Sequence, residues 1–148
     1  MPDQNSMADL VLEHYHLEGP RARVDPIEMQ RYLQSLVEQT KPGRLVQTGP
    51  ALTYGELLKR VRFNREAIED EFAEIMDMLP WKEWKTYKAR GEGDPISEDD
   101  RIELAYELVD ILHFLFNLFI ALGVDWQLML NIYLTKNLEN QRRQREGY

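Results

Sequence analysis

The stretch that most restricts the fold of this 148-residue chain is "SEDDRIELAYELVDILHFLFNLFIALG", residues 97 to 123. Ser97 with Asp100 three residues on is a helix start, and Gly123 is a helix stop. What lies between alternates nowhere with period two, so it reads as one long and very apolar helix. Such a helix needs other apolar helix faces around it. The rest of the chain offers no β-branched alternating run and no Asn-Gly hairpin. The chain is therefore expected to be all-α, a bundle of four to five helices in a single domain over residues 1–148.

The other helices are placed by their punctuation. "MADLVLEHYHLE" is a first candidate, ended by Gly19-Pro20. A second runs from an Asp25 cap and Pro26 at the first helical position to about Gln39. The loop "TKPGRLVQTGP" follows. Thr53 and Glu56 fit a capping box for a third helix that Pro80 ends. After the polar connection and the helix described above, Asp125 caps a last helix carrying a basic C-terminal stretch.

Composition excludes several classes of function. Without cysteine there is neither a disulfide framework nor a thiolate metal site. A net charge of −8 and a pI near 4.9 argue against general nucleic-acid binding. The opening "MPDQNSMADL" has no basic and apolar regions of a signal peptide, and "ILHFLFNLFIALGV" falls short of the roughly 20 residues of a membrane span. A soluble, cytoplasmic protein that engages neither membrane nor nucleic acid is expected.

Acidic residues concentrate in two helices. In "EDEFAEIMDML", Glu71 and Glu74 are three apart and share a helix face at the margin of the stripe Phe72, Ile75, Met76 and Leu79. Glu107 and Asp110 repeat that spacing in the apolar helix, where Glu103, Glu107, Asp110 and Asn117 form one polar stripe. Packed antiparallel, two such helices bring four carboxylates together. The cluster would repel itself unless hard divalent cations neutralised it, and Mg²⁺ takes oxygen ligands while leaving positions for water and phosphate. Two ions about 3.5–4 Å apart would clamp a phosphoanhydride and activate a water. The plainer reading is solvated surface charge, weaker for Glu107 and Asp110 because of their apolar setting. His113 follows Asp110 by three, the spacing of a di-iron ligand pair, but di-iron is the weaker metal reading here. A lone histidine beside an apolar face is ordinarily structural.

Two further segments suit a nucleotide. In "PWKEWK", Trp81 and Trp84 would stack a base while Lys82 and Lys85 meet phosphate, unless the indoles merely close the end of the bundle. Gln30 and Gln34, one helical turn apart, have amides suited to a base edge, though exposed amides usually do nothing. On the last helix Lys136, Asn140 and Arg143 share a face able to grip polyphosphate; alternatively the cations complement the helix C-terminus.

Together these segments resemble a known family. "DPIEMQRYLQ", "DEFAE", "WKEWK", "IELAYELVDILHFLFNLFIALG" and "YLTKNLENQRRQREGY" are similar to the all-α nucleoside triphosphate pyrophosphohydrolase superfamily, with its MazG-like enzymes and dimeric dUTPases. Within it they look most like the dCTPase/dUTPase group of T-even phages. The resemblance implies hydrolysis of a deoxynucleoside triphosphate to monophosphate and pyrophosphate in a homodimer, with two or more Mg²⁺ per site and Mn²⁺ expected to substitute. It implies Glu71, Glu74, Glu107 and Asp110 as metal ligands, one of the first two orienting the attacking water. Lys136, Asn140, Arg143 and Tyr148 match its phosphate contacts, as do Lys82 and Lys85 more loosely. Gln30, Trp81, Trp84 and Asn117 match positions around base and sugar. Substrates dCTP and dUTP are favoured, in the host cytoplasm if the chain is phage-encoded. Two other readings stand beside it: the same chemistry on a purine substrate such as dGTP or GTP, and a non-catalytic helical interaction module whose carboxylates pair with lysines and arginines.

Overall fold

The computed structural model describes residues 25–147. The helix expected near residues 7–18 and the site residue Tyr148 lie outside them. Four helices follow in order: α1 (Pro26–Thr40), α2 (Tyr54–Met78), α3 (Glu98–Ala121) and α4 (Trp126–Glu146). The fold is all-α, and no strand occurs among the described residues.

The ends of the helices show why they form where they do. Asp25 Oδ1 accepts from the Ile27 and Glu28 amides at 3.0 Å each, capping α1 behind Pro26. At α2, Thr53 Oγ1 accepts from Glu56 N (3.1 Å), but the Glu56 carboxylate reaches to Leu52 N (2.7 Å). That is a capping box displaced by one residue. Ser97 Oγ accepts from Asp100 N at 3.1 Å to open α3. Gly123, with φ +68°, closes it: Gly123 N donates to Ile120 O and Val124 N to Phe119 O. This pair of bonds is a Schellman motif, whose left-handed residue is the reason for glycine there. Asp125 Oδ1 then caps α4 through Leu128 N at 2.8 Å.

The described chain divides into two compact units, one of Phe63–Phe114, the other of Asp25–Arg62 and 115–147. The second holds α1, α4, the first turns of α2 and the last of α3. Its buried groups include Ile27, Ile120 and Ala121, together with Gln30, Asn117, Gln47 and Arg60. Arg60 ties the loop before α2: its guanidinium donates to the Gln47 (3.0 Å) and Gly49 carbonyls, while Glu38 accepts from Gln47 N at 3.1 Å. Burial lowers the pKa of Arg60, and Glu56 and Glu38 offset that. Ala51 N donates to Ala121 O (2.8 Å), satisfying a carbonyl in the last turn of α3.

The first unit contains the rest of α2 and α3 and the connection between them. Asn64 and Ile111 are buried in it. Arg90 Nε donates to Asp100 at 3.1 Å, fastening the connection to the first turn of α3, next to Ala89 with φ +56°.

A single chain leaves much of α3 uncovered: Leu108, Leu112 and Leu115, spaced four and three apart, are 52%, 44% and 37% exposed. By length and composition alone, α3 also meets the test for a membrane-crossing helix, unlike the shorter span read from the sequence.

Candidate active site

Inside the first unit, α2 presents Glu71 and Glu74 to the Glu107 carboxylate of α3. One oxygen from each of the three lies within 4.8 Å of the others. Glu71 has its pKa raised, first by partial burial, then by the charges of Asp110, Glu74 and Glu107, and by a hydrogen bond to Glu107. A carboxyl–carboxyl hydrogen bond requires a proton on one partner, so the four groups cannot all ionise comfortably. Among the described residues, neither Glu71, Glu74 nor Glu107 has a lysine or arginine in ion-pair contact. Asp110 pairs with His113, whose Nδ1 lies 3.3 Å away.

This geometry bears on the alternatives raised by the sequence. A structural interaction module would neutralise its carboxylates with cations, and among the described residues no lysine or arginine pairs with these three glutamates. A di-iron centre would bring a histidine into the ligand set, and among the described residues the cluster is made of glutamates alone. Its oxygens are hard donors on rigid helices, partly exposed, and suited to Mg²⁺ or Mn²⁺.

The connection after α2 carries the indoles. Trp81 and Trp84 meet edge to face, 5.9 Å between centroids at 79°. They form no parallel slot, so each has a face of its own, and Trp84 is 79% exposed. Lys82 sits over the Trp81 ring at 5.2 Å and 3.7 Å from Asp77, and Lys85 sits over Tyr87. A cavity of about 180 Å³ in this unit is lined by Leu79, Pro80, Ala89, Ile96 and Leu104, and does not include the carboxylates.

The remaining site residues belong to the second unit. Gln30 Nε2 donates to Asn117 Oδ1 at 2.9 Å, with both side chains almost fully buried. Gln30 Oε1 is left without a partner. On α4, Asn140 is exposed, while Lys136 (3.7 Å) and Arg143 both engage Glu139. Glu139 is a partner that the sequence reading does not name. Its spacing, three after Lys136 and four before Arg143, is the signal that could have found it. His113, expected to be a structural histidine three residues after Asp110, does pair with that carboxylate.

Comparison with known proteins gives a consistent answer. The chain is 30% identical to a dCTP pyrophosphatase of Enterobacteria phage T4, over 82% of this chain and 80% of that protein. It is 33% identical to a dCTP pyrophosphatase of Enterobacteria phage LZ5, over 90% of this chain and 88% of that one. A T4 protein named DNA replication protein is 29% identical over 75% of this chain but only 32% of its own length. No family model and no solved structure matches.

Proposed function

The chain belongs to the phage dCTP pyrophosphatase family, and on that premise we propose that it hydrolyses dCTP and dUTP to their monophosphates and pyrophosphate with Mg²⁺ held at Glu71, Glu74, Glu107 and Asp110. It is a nucleoside triphosphate pyrophosphohydrolase by that membership. The observation that carries the metal assignment is the convergence of Glu71, Glu74 and Glu107, with no lysine or arginine paired to them among the described residues. In such a cluster each carboxylate raises the cost of ionising the next, and a divalent cation reverses that sign.

Bound there, Mg²⁺, one ion or more, would polarise the phosphoanhydride and lower the pKa of water; Mn²⁺ would serve as well. The residues themselves do the following. Glu71 or Glu74 orients a water toward the α-phosphorus and accepts its proton. The water oxygen bonds to that phosphorus as the α–β P–O bond breaks, and the electron pair leaves with pyrophosphate. Lys136 and Arg143, with Asn140 and Tyr148, take the charge of the departing group, and Lys82 and Lys85 add to the cationic field. Trp81 and Trp84 each present a face for stacking a base.

For the base, Gln30 is the informative residue. A buried acceptor without a partner costs about 1–3 kcal/mol. The amino group of cytosine and the N3–H of uracil are donors of the kind Gln30 Oε1 lacks, with Asn117 holding the amide in place. Because Oε1 is closed to solvent as the helices stand, reading a base through it requires α1 to shift. The uncovered leucines of α3 support a homodimer, since an apolar row of that kind is seldom left to water. We place the chain as a single functional domain in the host cytoplasm.

The test is product analysis with each common dNTP, dUTP and rNTP, in Mg²⁺ and in EDTA. Monophosphate plus pyrophosphate from dCTP and dUTP, lost with EDTA, is the expected result. Cleavage of purine triphosphates alone would overturn the substrate assignment, and undiminished cleavage in EDTA would overturn the metal.

A further inference from the structure

Glu139 occupies an unusual place on α4. Lys136 precedes it by three residues and Arg143 follows it by four, so one carboxylate stands within reach of both cations. Glu139 and Arg143 are each only partly exposed, at 37% and 38%. Lys136 and Glu139 also end a groove of about 390 Å³ whose other walls are Leu128, Asn131, Ile132 and Thr135. The two cations proposed to meet polyphosphate are thus already engaged, and by the same anion.

We propose that Glu139 is a built-in counter-anion that the polyphosphate of the substrate must displace, and that reclaims Lys136 and Arg143 as pyrophosphate leaves. The physical reason is competition for the same donors. A carboxylate presents two oxygens and one negative charge to the cations, whereas a di- or triphosphate presents several oxygens and more charge, so it wins the exchange. Part of its binding free energy is used to break the Glu139 pairs, which weakens the hold on pyrophosphate and favours its release. Between turnovers the same pairs keep two long cationic side chains on one face of α4. Glu139 touches neither water nor phosphorus in this scheme. It is a positioning residue.

This inference rests on the reading of Lys136 and Arg143 as phosphate contacts, and the experiment separates the two. Binding of inorganic pyrophosphate, with Mg²⁺ present, is measured by calorimetry on the unaltered protein, Glu139→Gln and Arg143→Gln, with circular dichroism melts of each. The expected result is about three- to tenfold tighter pyrophosphate binding by Glu139→Gln, the range for two partly exposed ion pairs relieved together. Its KM for the triphosphate falls correspondingly while kcat does not rise, and Arg143→Gln binds pyrophosphate more weakly. Unchanged or weaker binding in Glu139→Gln, with Arg143→Gln still weakened, would overturn the counter-anion and leave the phosphate contacts standing. Equal pyrophosphate affinity in all three proteins would overturn both.

Discussion

Two acidic helix surfaces of this protein use the same side chain in opposite ways. On α4, Glu139 and Glu146 sit one turn from lysine or arginine and are paired: Glu139 with Lys136 and Arg143, Glu146 with Arg142. On α2 and α3, Glu71, Glu74 and Glu107 converge within 4.8 Å with no such partner among the described residues, and Glu71 is driven toward its protonated form. Pairing along a helix is what an acidic residue does when only solubility and local stability are at stake. Converging unpaired is costly, and a fold keeps that cost where a ligand of opposite charge repays it.

The sharpest way to break this comparison is to remove one charge from each surface. Glu107→Gln or Asp110→Asn is expected to lower turnover by about a hundredfold or more while leaving the helical circular dichroism intact. Normal activity in both variants would show that the converging carboxylates are not the metal site.

Acidity offers a second and smaller contrast. A carboxyl whose pKa is raised by folding destabilises the folded state when ionised. That cost is full above the raised pKa and vanishes as pH falls below the ordinary carboxylate value. In EDTA, Glu71→Gln is therefore expected to melt higher than the unaltered protein at neutral pH, with the difference closing on acidification. With Mg²⁺ the order should invert, because a ligand at a hundred times its Kd stabilises the unaltered chain by about 2.7 kcal/mol. Melting curves from pH 4 to 8, with and without the ion, read both effects. If the EDTA difference fails to depend on pH, the raised Glu71 is not what the substitution relieves.

The smallest effect concerns an acid with a purely local task. Asp125 caps α4 through Leu128 N, so Asp125→Ala is expected to cost about 1 kcal/mol in a denaturant titration and to leave kcat unchanged. A large loss of activity from that substitution would mean that the α4 surface is less separable from catalysis than its pairing implies.

Much of this was legible along the chain. The caps at Asp25, Ser97 and Asp125 and the stop at Gly123 are local signals, because the groups that bond are within a few residues of each other. The i, i+3 carboxylate pairs were legible for the same reason. The spacing of Thr53 and Glu56 marks a helix start, but Glu56 bonds one residue farther back, a rotamer-level choice that spacing does not encode. The Glu71–Glu107 hydrogen bond joins residues 36 positions apart, and the Gln30–Asn117 bond joins residues 87 apart. The edge-to-face tryptophans depend on the path of a loop. None of these follows from periodicity.

Sequence alone determined the helices, their ends and which faces carry charge, because those depend on backbone hydrogen bonds and side-chain spacing within a turn or two. Tertiary structure decided which charges meet. Acidic residues on two helices converged on one another, while those on α4 found cations of their own helix. The Coulomb energy of a carboxylate falls with distance and with access to water, and both are set by how helices pack rather than by which residues they contain.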